Sequence, residues 1–401
     1  MRRLYYADSL LTSFEATVES CAAAADRFHV TLSETAFYPT SGGQPHDVGT
    51  LEPAGGGAPR VHVVDVMDDE TSGQVVHVVD APLEPGAIVR GEIDRARRLD
   101  HMQQHTGQHI LSAAFDQRLR ARTVSFHMGA ETSTIDLARE LTPGEIAIAE
   151  TAANDVVWRD LEVGVRYVGE AEAAALPLRK EPTRTGTLRL VEVPGFDLSA
   201  CGGTHVPRTG MIGMIGVTGS ERCKGGSRVS FACGGRALAA FAAMRRVTQA
   251  ASRTLTIAAS ELPDAIGRMQ TEIKDQQRVI KALQEQVTAT LAAELRETAQ
   301  PGRDGIRVVI RAQAGWDAGA LKFLASAIVS SPGFVVVLTG EGTPVPVVVA
   351  RSADVGFDAG AWINDATSEL GGRGGGRPEL AQGGLAAGTH DVLARAHRTL
   401  T

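Results

Sequence analysis

Two short motifs of metal-ligand residues lie roughly a hundred residues apart, so only a fold that joins them can use both. The first is His105-Thr-Gly-Gln-His109, and the second is Cys201-Gly-Gly-Thr-His205. Histidines at i and i+4 of a helix lie on one face, about one turn apart. A Cys-x-x-x-His segment on a Gly-Gly loop can close the other half of a tetrahedral site. Imidazole and thiolate ligands suit Zn²⁺ better than Mg²⁺ or Ca²⁺, so the motifs predict a zinc site.

The spacing leaves two questions open. His101 lies four residues before His105, so either of two overlapping histidine pairs fits the helix. Four protein ligands are typical of a structural zinc, whereas a catalytic zinc keeps one position for water or substrate. Cys201 is therefore interpreted as a ligand, a substrate contact, or both.

Composition limits the class of protein. A chain of 401 residues is long enough for several domains, and its net charge of −7 argues against indiscriminate coating of nucleic acid. Local basic clusters remain, among them Arg245/Arg246 and Arg373/Arg377. Four cysteines without a dense pattern favour a reduced, cytoplasmic setting. The sequence shows neither a signal peptide nor a membrane span, so no membrane partner is expected.

The first half of the chain is predicted to be β-rich and then mixed. Alternating apolar runs between turns such as Pro53–Gly57 predict a small β-barrel or sandwich over residues 1–95. Apolar residues at helical spacing predict a helix from Asp94 to about Arg120 that contains both histidines. A second helix should begin at Thr142-Pro-Gly-Glu145, a capping-box sequence, and run to about Trp158.

The second half is predicted to start with helices. Apolar residues repeat at 3/4 spacing from Leu238 to Val287, which favours a helical hairpin or the seam of a dimeric coiled coil. Strands then alternate with helices in a C-terminal α/β region. The fold class is thus α+β. The expected domains are a barrel (1–95), a two-layer α/β core with the zinc site (96–235), a helical hairpin or coiled coil (236–300) and a C-terminal α/β domain (301–401).

Several motifs resemble one family. The segments 105–114 and 201–205 resemble the editing domain of alanyl-tRNA synthetase and the free-standing AlaX-type editing proteins. Residues 37–49 resemble the Gly-rich segment of the preceding barrel, and residues 371–384 resemble the end of a DHHA1-type C-terminal domain. The resemblance covers nearly the whole chain and is strongest to the long AlaX form, which has no synthetase domain. It therefore implies that the chain does not charge tRNA.

The resemblance implies a function and a ligand set. The expected activity is deacylation of tRNA(Ala) mischarged with serine, or with glycine. The zinc ligands, also taken as the catalytic centre, are expected to be His105, His109, Cys201 and His205. A homodimer through the helical region or the C-terminal domain is a further expectation.

Other residues are candidates for substrate binding. An alanine pocket cannot reject serine strongly, so a second sieve is needed. Thr123, Ser125 and His127, on the strand after the metal helix, are interpreted as pocket residues or as outward-facing positions. Backbone N–H groups of Gly42-Gly43 or Gly202-Gly203 are expected to stabilise an oxyanion or simply to permit turns.

The C-terminal glycine-rich run has two interpretations. Arg373, Gly374, Gly375 and Arg377 are candidates for tRNA binding, because bare backbone can approach phosphates and arginines supply charge. The alternative is a flexible surface loop.

Two other functions compete with editing. DHHA1-type domains also accompany DHH phosphodiesterases, but Asp100-His101-Met102 breaks the Asp-His-His motif of that chemistry. A non-catalytic tRNA-binding or synthetase-associated zinc protein is the second alternative, and it predicts tight binding without turnover.

Overall fold

The computed structural model describes residues 1–54, 59–69, 71–179 and 186–401. These residues form two compact units, Met1–Thr256 and Ile257–Thr401. Both units combine helices with sheets, so the α+β prediction is confirmed. The division into four domains stays a prediction. Most of the turn predicted at Pro53–Gly57 lies outside the described residues. Within the described ranges, no helix is long and apolar enough to cross a membrane.

The first unit begins with a closed β-barrel, so of the two predicted architectures the barrel is confirmed and the sandwich is not. Its strands join in the order β2-β3-β7-β6-β5-β8, and small aliphatic side chains such as Val30 and Leu51 fill the interior. Strand β2 was not predicted. The strands of this region are β1 (Arg2–Arg3), β2 (Ser13–Ala24), β3 (Arg27–Leu32), β4 (Glu34–Thr35), β5 (Gly49–Pro53), β6 (Val61–Asp69), β7 (Gln74–Val79) and β8 (Ile88–Ile93).

A helix-on-sheet core follows the barrel. Helices α1 and α2 pack on a sheet of order β14-β15-β10-β9, and a second sheet has the order β11-β12-β13. The elements are α1 (Arg95–Leu119), β9 (Thr123–Met128), β10 (Ser133–Leu137), α2 (Pro143–Trp158), β11 (Gly164–Val168), α3 (Glu170–Ala174), β12 (Leu188–Val193), β13 (Asp197–Ala200), β14 (Ile215–Cys223), β15 (Gly226–Cys233) and α4 (Gly234–Leu255).

Local signals explain most of these boundaries. The capping box before α2 is confirmed, because Thr142 accepts a hydrogen bond from the Glu145 N–H at 3.3 Å while Glu145 accepts one from the Thr142 N–H at 2.8 Å. Strand β14 begins at Ile215, after a short 3-10 helix over Thr209–Ile212.

The second unit is a three-layer α/β structure. Its sheet has the order β16-β17-β18-β19-β21-β20, with α5 and α6 on one face and α7 and α8 on the other. The elements are α5 (Leu262–Glu297), β16 (Gln300–Pro301), β17 (Arg307–Ala312), α6 (Ala318–Val329), β18 (Phe334–Thr339), β19 (Val345–Arg351), α7 (Ala359–Leu370), β20 (Gly372–Arg377), β21 (Leu380–Leu385) and α8 (Thr389–Leu400).

Helices α4 and α5 each carry exposed apolar residues at the predicted 3/4 spacing. On α4 these include Leu238, Phe241 and Val247, and on α5 they include Ile273 and Ile280. The expected helical hairpin or dimer seam stays a prediction.

Candidate metal centre

Helix α1 carries both histidines of the first motif. Asp94 caps its N-terminus by accepting the Arg97 N–H at 3.0 Å. Gly107, between the two histidines, lies where a Cβ would come within 2.2 Å of the Cys233 sulfur. The glycine therefore lets the end of β15 pack closely against the helix while His105 and His109 stay buried.

The second motif forms a tight loop after β13. Arg189 on β12 donates from Nη1 to the carbonyls of Cys201, at 2.8 Å, and Gly203, at 3.0 Å. A Cβ at Gly203 would lie 2.2 Å from Cε1 of His105. The loop can therefore close over the imidazole only because this residue is glycine.

The two motifs meet. One ligand atom from each of His105, His109, Cys201 and His205 lies within 4.8 Å of all the others, and we refer to these four residues as the cluster. The Cys201 sulfur is 3.3 Å from Nε2 of His105 and 3.4 Å from Nε2 of His205. His101 is buried but lies outside this group, so the geometry selects the pair His105–His109.

Each histidine is held by a partner on its other ring nitrogen. Nδ1 of His105 lies 2.7 Å from Oε1 of Gln44, and Nδ1 of His109 lies 2.9 Å from a carboxylate oxygen of Asp197. Nδ1 of His205 lies 3.2 Å from the Thr106 hydroxyl. Such contacts fix ring orientation and leave the Nε2 atoms to converge, as in protein metal sites.

Sequence reasoning missed Gln44, Thr106 and Asp197 as parts of the site. Gln44 also accepts the Thr204 N–H at 3.1 Å, and Arg179 donates to Asp197 at 2.6 Å. Gln44 stands inside the segment that carried the family resemblance, which is the one signal that pointed towards it.

The electrostatics of the cluster favour a thiolate. Burial alone would raise the pKa of Cys201, yet the surrounding imidazoles hold that pKa well below its ordinary value. For His109 burial alone would lower the pKa, because it disfavours the charged imidazolium, but the thiolate and Asp197 raise this pKa to about 9. A cation bound here would replace these protons, so metal binding should release them.

The donor set fits Zn²⁺. Tetrahedral Zn–S and Zn–N bonds place sulfur and nitrogen about 3.5 Å apart, close to the two Cys201–histidine distances. Three imidazoles and one thiolate are a zinc-type combination. The residues that would hold the ion are therefore His105, His109, Cys201 and His205.

The three pocket candidates on β9 do not share a face. A bulge at Val124 breaks the alternation, because Ser125 pairs with Asp136 whereas Thr123 pairs with the next residue, Leu137. Thr123 consequently points to α1 and donates to the Ser112 hydroxyl at 2.8 Å. Ser125 instead donates to Asp136 at 2.8 Å on the exposed face.

His127 is exposed like Ser125, two residues further along β9. Phe126 occupies the opposite face, with its ring centroid 5.7 Å from that of His105. The structure thus brings Thr123 to the helix of the cluster and leaves Ser125 and His127 on the other side of the sheet.

The glycines considered for an oxyanion site differ in conformation. Gly42 and Gly43 have φ values of 59° and 85°, which favour glycine, so this turn requires them. The Gly203 N–H points to the Cys201 sulfur at 3.4 Å.

The C-terminal glycine-rich run is a strand, so its interpretation as a flexible loop is wrong. It forms β20, the edge strand of the second unit's sheet. Arg373 and Arg377 are exposed. A Cβ at Gly375 would meet no atom within 4 Å, whereas one at Gly374 would meet Ile363 at 2.6 Å. Gly374 is thus needed for packing, and Gly375 is a bare position between two arginines.

Models of three known domain families match this chain. "tRNA synthetases class II (A)" matches residues 7–97, and "Threonyl and Alanyl tRNA synthetase second additional domain" matches residues 188–230. The DHHA1 domain matches residues 305–400. The second of these matches includes the Cys201–His205 motif.

Curated relatives match over nearly the whole chain. Alanine–tRNA ligases of Halorubrum lacusprofundi and Natronomonas pharaonis are 32% and 34% identical over 95% of the chain. The chain spans 42% of the length of each. The C-Ala domain structure of Aquifex aeolicus alanyl-tRNA synthetase covers 25% of the chain at 21% identity, with a TM-score of 0.23.

The barrel, the cluster-bearing core and the DHHA1 unit together define a protein of the aminoacyl-tRNA synthetase-related class. Within that class, the chain is similar along 95% of its length to alanine–tRNA ligases, and it shares with them a match to the second additional domain of threonyl- and alanyl-tRNA synthetases. That it lacks a charging activity stays a prediction.

Proposed function

We propose that this chain hydrolyses the ester bond of tRNA(Ala) mischarged with serine or glycine, and that Zn²⁺ binds at the cluster. The observation that carries the proposal is the convergence of four donor atoms within 4.8 Å, each histidine being oriented by a partner of its own. A bound zinc ion would supply Lewis acidity that polarises the ester or its attacking water.

The chain's own residues do the positioning. Gln44 and Asp197 orient the imidazoles of His105 and His109. The hydrogen bonds from Arg189 to the Cys201 and Gly203 carbonyls hold the loop that carries the thiolate. Because the site lies between the barrel segment around Gln44 and helix α1, the acyl end would be enclosed by both. Such enclosure excludes bulk water and favours attack by one oriented molecule.

We propose that Thr123 recognises the side chain of the seryl group. Its hydroxyl donates to Ser112, so its lone pairs stay available to accept a hydrogen bond from a serine hydroxyl. We expect Thr123→Val to lower kcat/KM for the seryl ester about tenfold or more and to spare the glycyl ester. Ser125→Ala is the matched control, because Ser125 is on the opposite face; equal losses in both variants would remove this role from Thr123.

The deciding experiment is deacylation of Ser-tRNA(Ala), Gly-tRNA(Ala) and Ala-tRNA(Ala) by zinc-loaded protein. We expect release of serine or glycine, retention of alanine, and no turnover by a Cys201→Ala/His205→Ala variant. A Cys223→Ala/His390→Ala variant changes the same residue types outside the cluster and should remain active. Intact esters with tight tRNA binding would instead support the non-catalytic tRNA-binding alternative.

The phosphodiesterase alternative is disfavoured by the cluster itself. Among the residues that the structure describes, the group formed by His105, His109, Cys201 and His205 is the one set of three or more metal-type side chains that converge. It contains no aspartate, whereas two-metal phosphoester chemistry needs carboxylates that bridge or flank the ions.

A further inference from the structure

Three arginines are buried in the described part of the chain, and one of them differs from the others. Arg98 pairs with Asp47 and Arg395 pairs with Glu369. Arg189 is 9% exposed and has no acidic partner among the described residues; its Nε and Nη2 atoms have no hydrogen-bond partner there either. A buried guanidinium without a counter-charge is strongly unfavourable, so this position calls for an anion.

The unpaired nitrogens lie next to the candidate metal centre. The third nitrogen of the same guanidinium, Nη1, donates to the carbonyls of Cys201 and Gly203 at 2.8 and 3.0 Å. Backbone pairing joins the same segments, because the Cys201 N–H donates to the Arg189 carbonyl at 3.0 Å. An anion bound to Nε and Nη2 would therefore lie one loop away from the thiolate.

A tyrosine covers this guanidinium loosely. The Tyr6 ring centroid is 5.5 Å from Cζ of Arg189, whereas the Arg307–Phe334 and Arg395–Trp362 pairs lie at 4.0 and 4.4 Å. Tyr6 is half-buried and Gly202 is exposed, and a Cβ at Gly202 would lie 3.6 Å from the Tyr6 hydroxyl. Because Gly202 has no side chain, the hydroxyl edge of the Tyr6 ring stays accessible.

The other arginine beside Tyr6 is already neutralised. Arg3 lies 6.0 Å from the ring centroid and makes a bidentate pair with Asp68 at 2.6 and 2.9 Å. The available positive charge beside Tyr6 therefore belongs to Arg189.

We propose that Arg189 and Tyr6 form a subsite for the phosphate on the 5′ side of the terminal nucleotide of tRNA. This inference rests on the proposed function, because the esterified ribose carries its acyl group on one side and this phosphate on the other. A phosphate site must then lie one sugar ring from the ester. Two parallel guanidinium N–H groups match a phosphate bidentately, and the Tyr6 hydroxyl adds a donor once its ring moves off them.

Binding tests the subsite without requiring hydrolysis. Calorimetric titration of the zinc-loaded full chain should show AMP binding about tenfold or more tighter than adenosine. Arg189→Lys keeps a donor for the loop carbonyls but removes the two unpaired N–H groups, Nε and Nη2. The ratio of AMP affinity to adenosine affinity should therefore fall to about one. Arg3→Lys is the matched control and should keep it. Zinc content and the absorption spectrum of the Co²⁺-substituted protein show whether each variant retains the cluster.

Kinetics give a second readout. The ratio of kcat/KM for 3′-O-seryl-AMP to that for 3′-O-seryl-adenosine should be about tenfold in the wild type and near one in Arg189→Lys. An unchanged ratio in a variant that retains its cluster would overturn the subsite. If neither ester is hydrolysed, the proposed hydrolysis fails while the binding titration still decides the subsite.

A third variant addresses the acidic residue outside the described ranges that is nearest to Arg189 in the sequence. Glu181 lies eight residues before Arg189 in the sequence. If Glu181 neutralised Arg189, Glu181→Gln would create an AMP preference that the wild type lacks, and the proposal would be overturned. A preference already present in the wild type and kept in Glu181→Gln supports it.

Discussion

The cluster in the first unit and the glycine-rich strand in the second were both prominent sequence motifs, but they are built in opposite ways. The cluster consists of three buried histidines, each fixed by a further partner such as Gln44 or Asp197, and of the partly buried Cys201. Strand β20 instead depends on missing side chains, since a Cβ at Gly376 would lie 2.4 Å from the Cα of Ala381.

The difference indicates where each region is sensitive to change. In the cluster, the chemical identity and charge of a side chain matter, so single substitutions should act on metal affinity in large steps. In β20, a Cβ would meet α7 at Gly374 and strand β21 at Gly376, while Arg373 and Arg377 lie on either side of open Gly375. Effects there should be smaller and graded.

The largest effect is expected from Asp197→Asn, which removes the carboxylate that orients His109. Because partners of this kind are worth 10–100-fold, we expect zinc affinity to fall by about that factor, as measured by competition with a chromophoric chelator. Asp136→Asn is the control, since Asp136 pairs with Arg228 away from the cluster. Equal zinc affinities in wild type and Asp197→Asn would contradict this view of the site.

Acid should distinguish the two units. Burial lowers the pKa of His77 in the barrel to about 4, against about 6.5 in an unfolded chain. Between these values the unfolded state binds a proton that the folded state does not, so this stability is present above pH 6.5 and lost as pH falls towards 4. We expect the first unit to lose roughly 2 kcal/mol at pH 5 through this residue.

The measurement is urea unfolding at pH 8 and pH 5, with the two units resolved by pulse labelling at one fixed pH. His77→Gln keeps a donor for the Val30 carbonyl and an acceptor for the Thr35 hydroxyl. The variant should therefore show a weaker pH dependence than the wild type. If both respond equally, His77 is not the group responsible.

The structure also shows why some features were predictable and others were not. Helices α1 and α2 were predicted to within about a residue because caps and 3.6-residue periodicity are local signals. Strand β2 also carries a local signal, the alternation of Phe14, Ala16 and Val18 with polar residues, and it was overlooked.

The rest depended on distant contacts. Gln44 and Asp197 lie 61 and 88 residues from the histidines they hold, so no local pattern marks them. The bulge at Val124 reversed the expected side for Ser125 relative to Thr123, because one extra residue shifts the alternation of a strand. The two ligand motifs were recognisable because their residue types and spacing reflect metal chemistry itself.

A smaller effect is expected from the glycines of β20. Gly376→Ala would force a Cβ against backbone atoms of Leu380 and Ala381, which cannot rotate away, so the second unit should lose about 1–3 kcal/mol. Gly375→Ala places a Cβ in open space and should change stability by about 0.5 kcal/mol or less. Denaturation midpoints of the two variants measure this, and similar losses would contradict the assigned facing of the strand.

The smallest effect concerns charge on the open face of β20. If Arg373 and Arg377 contact tRNA phosphates, replacing both with Gln should reduce the slope of log K against log salt concentration by about two, because each lost contact releases about one counterion fewer. Arg245→Gln/Arg246→Gln removes the same charge from exposed positions on α4 and should leave the slope unchanged. Filter-binding titrations of uncharged tRNA across a salt series give both slopes. If the two double variants lower the slope equally, general attraction explains tRNA binding, and β20 is not a specific contact surface.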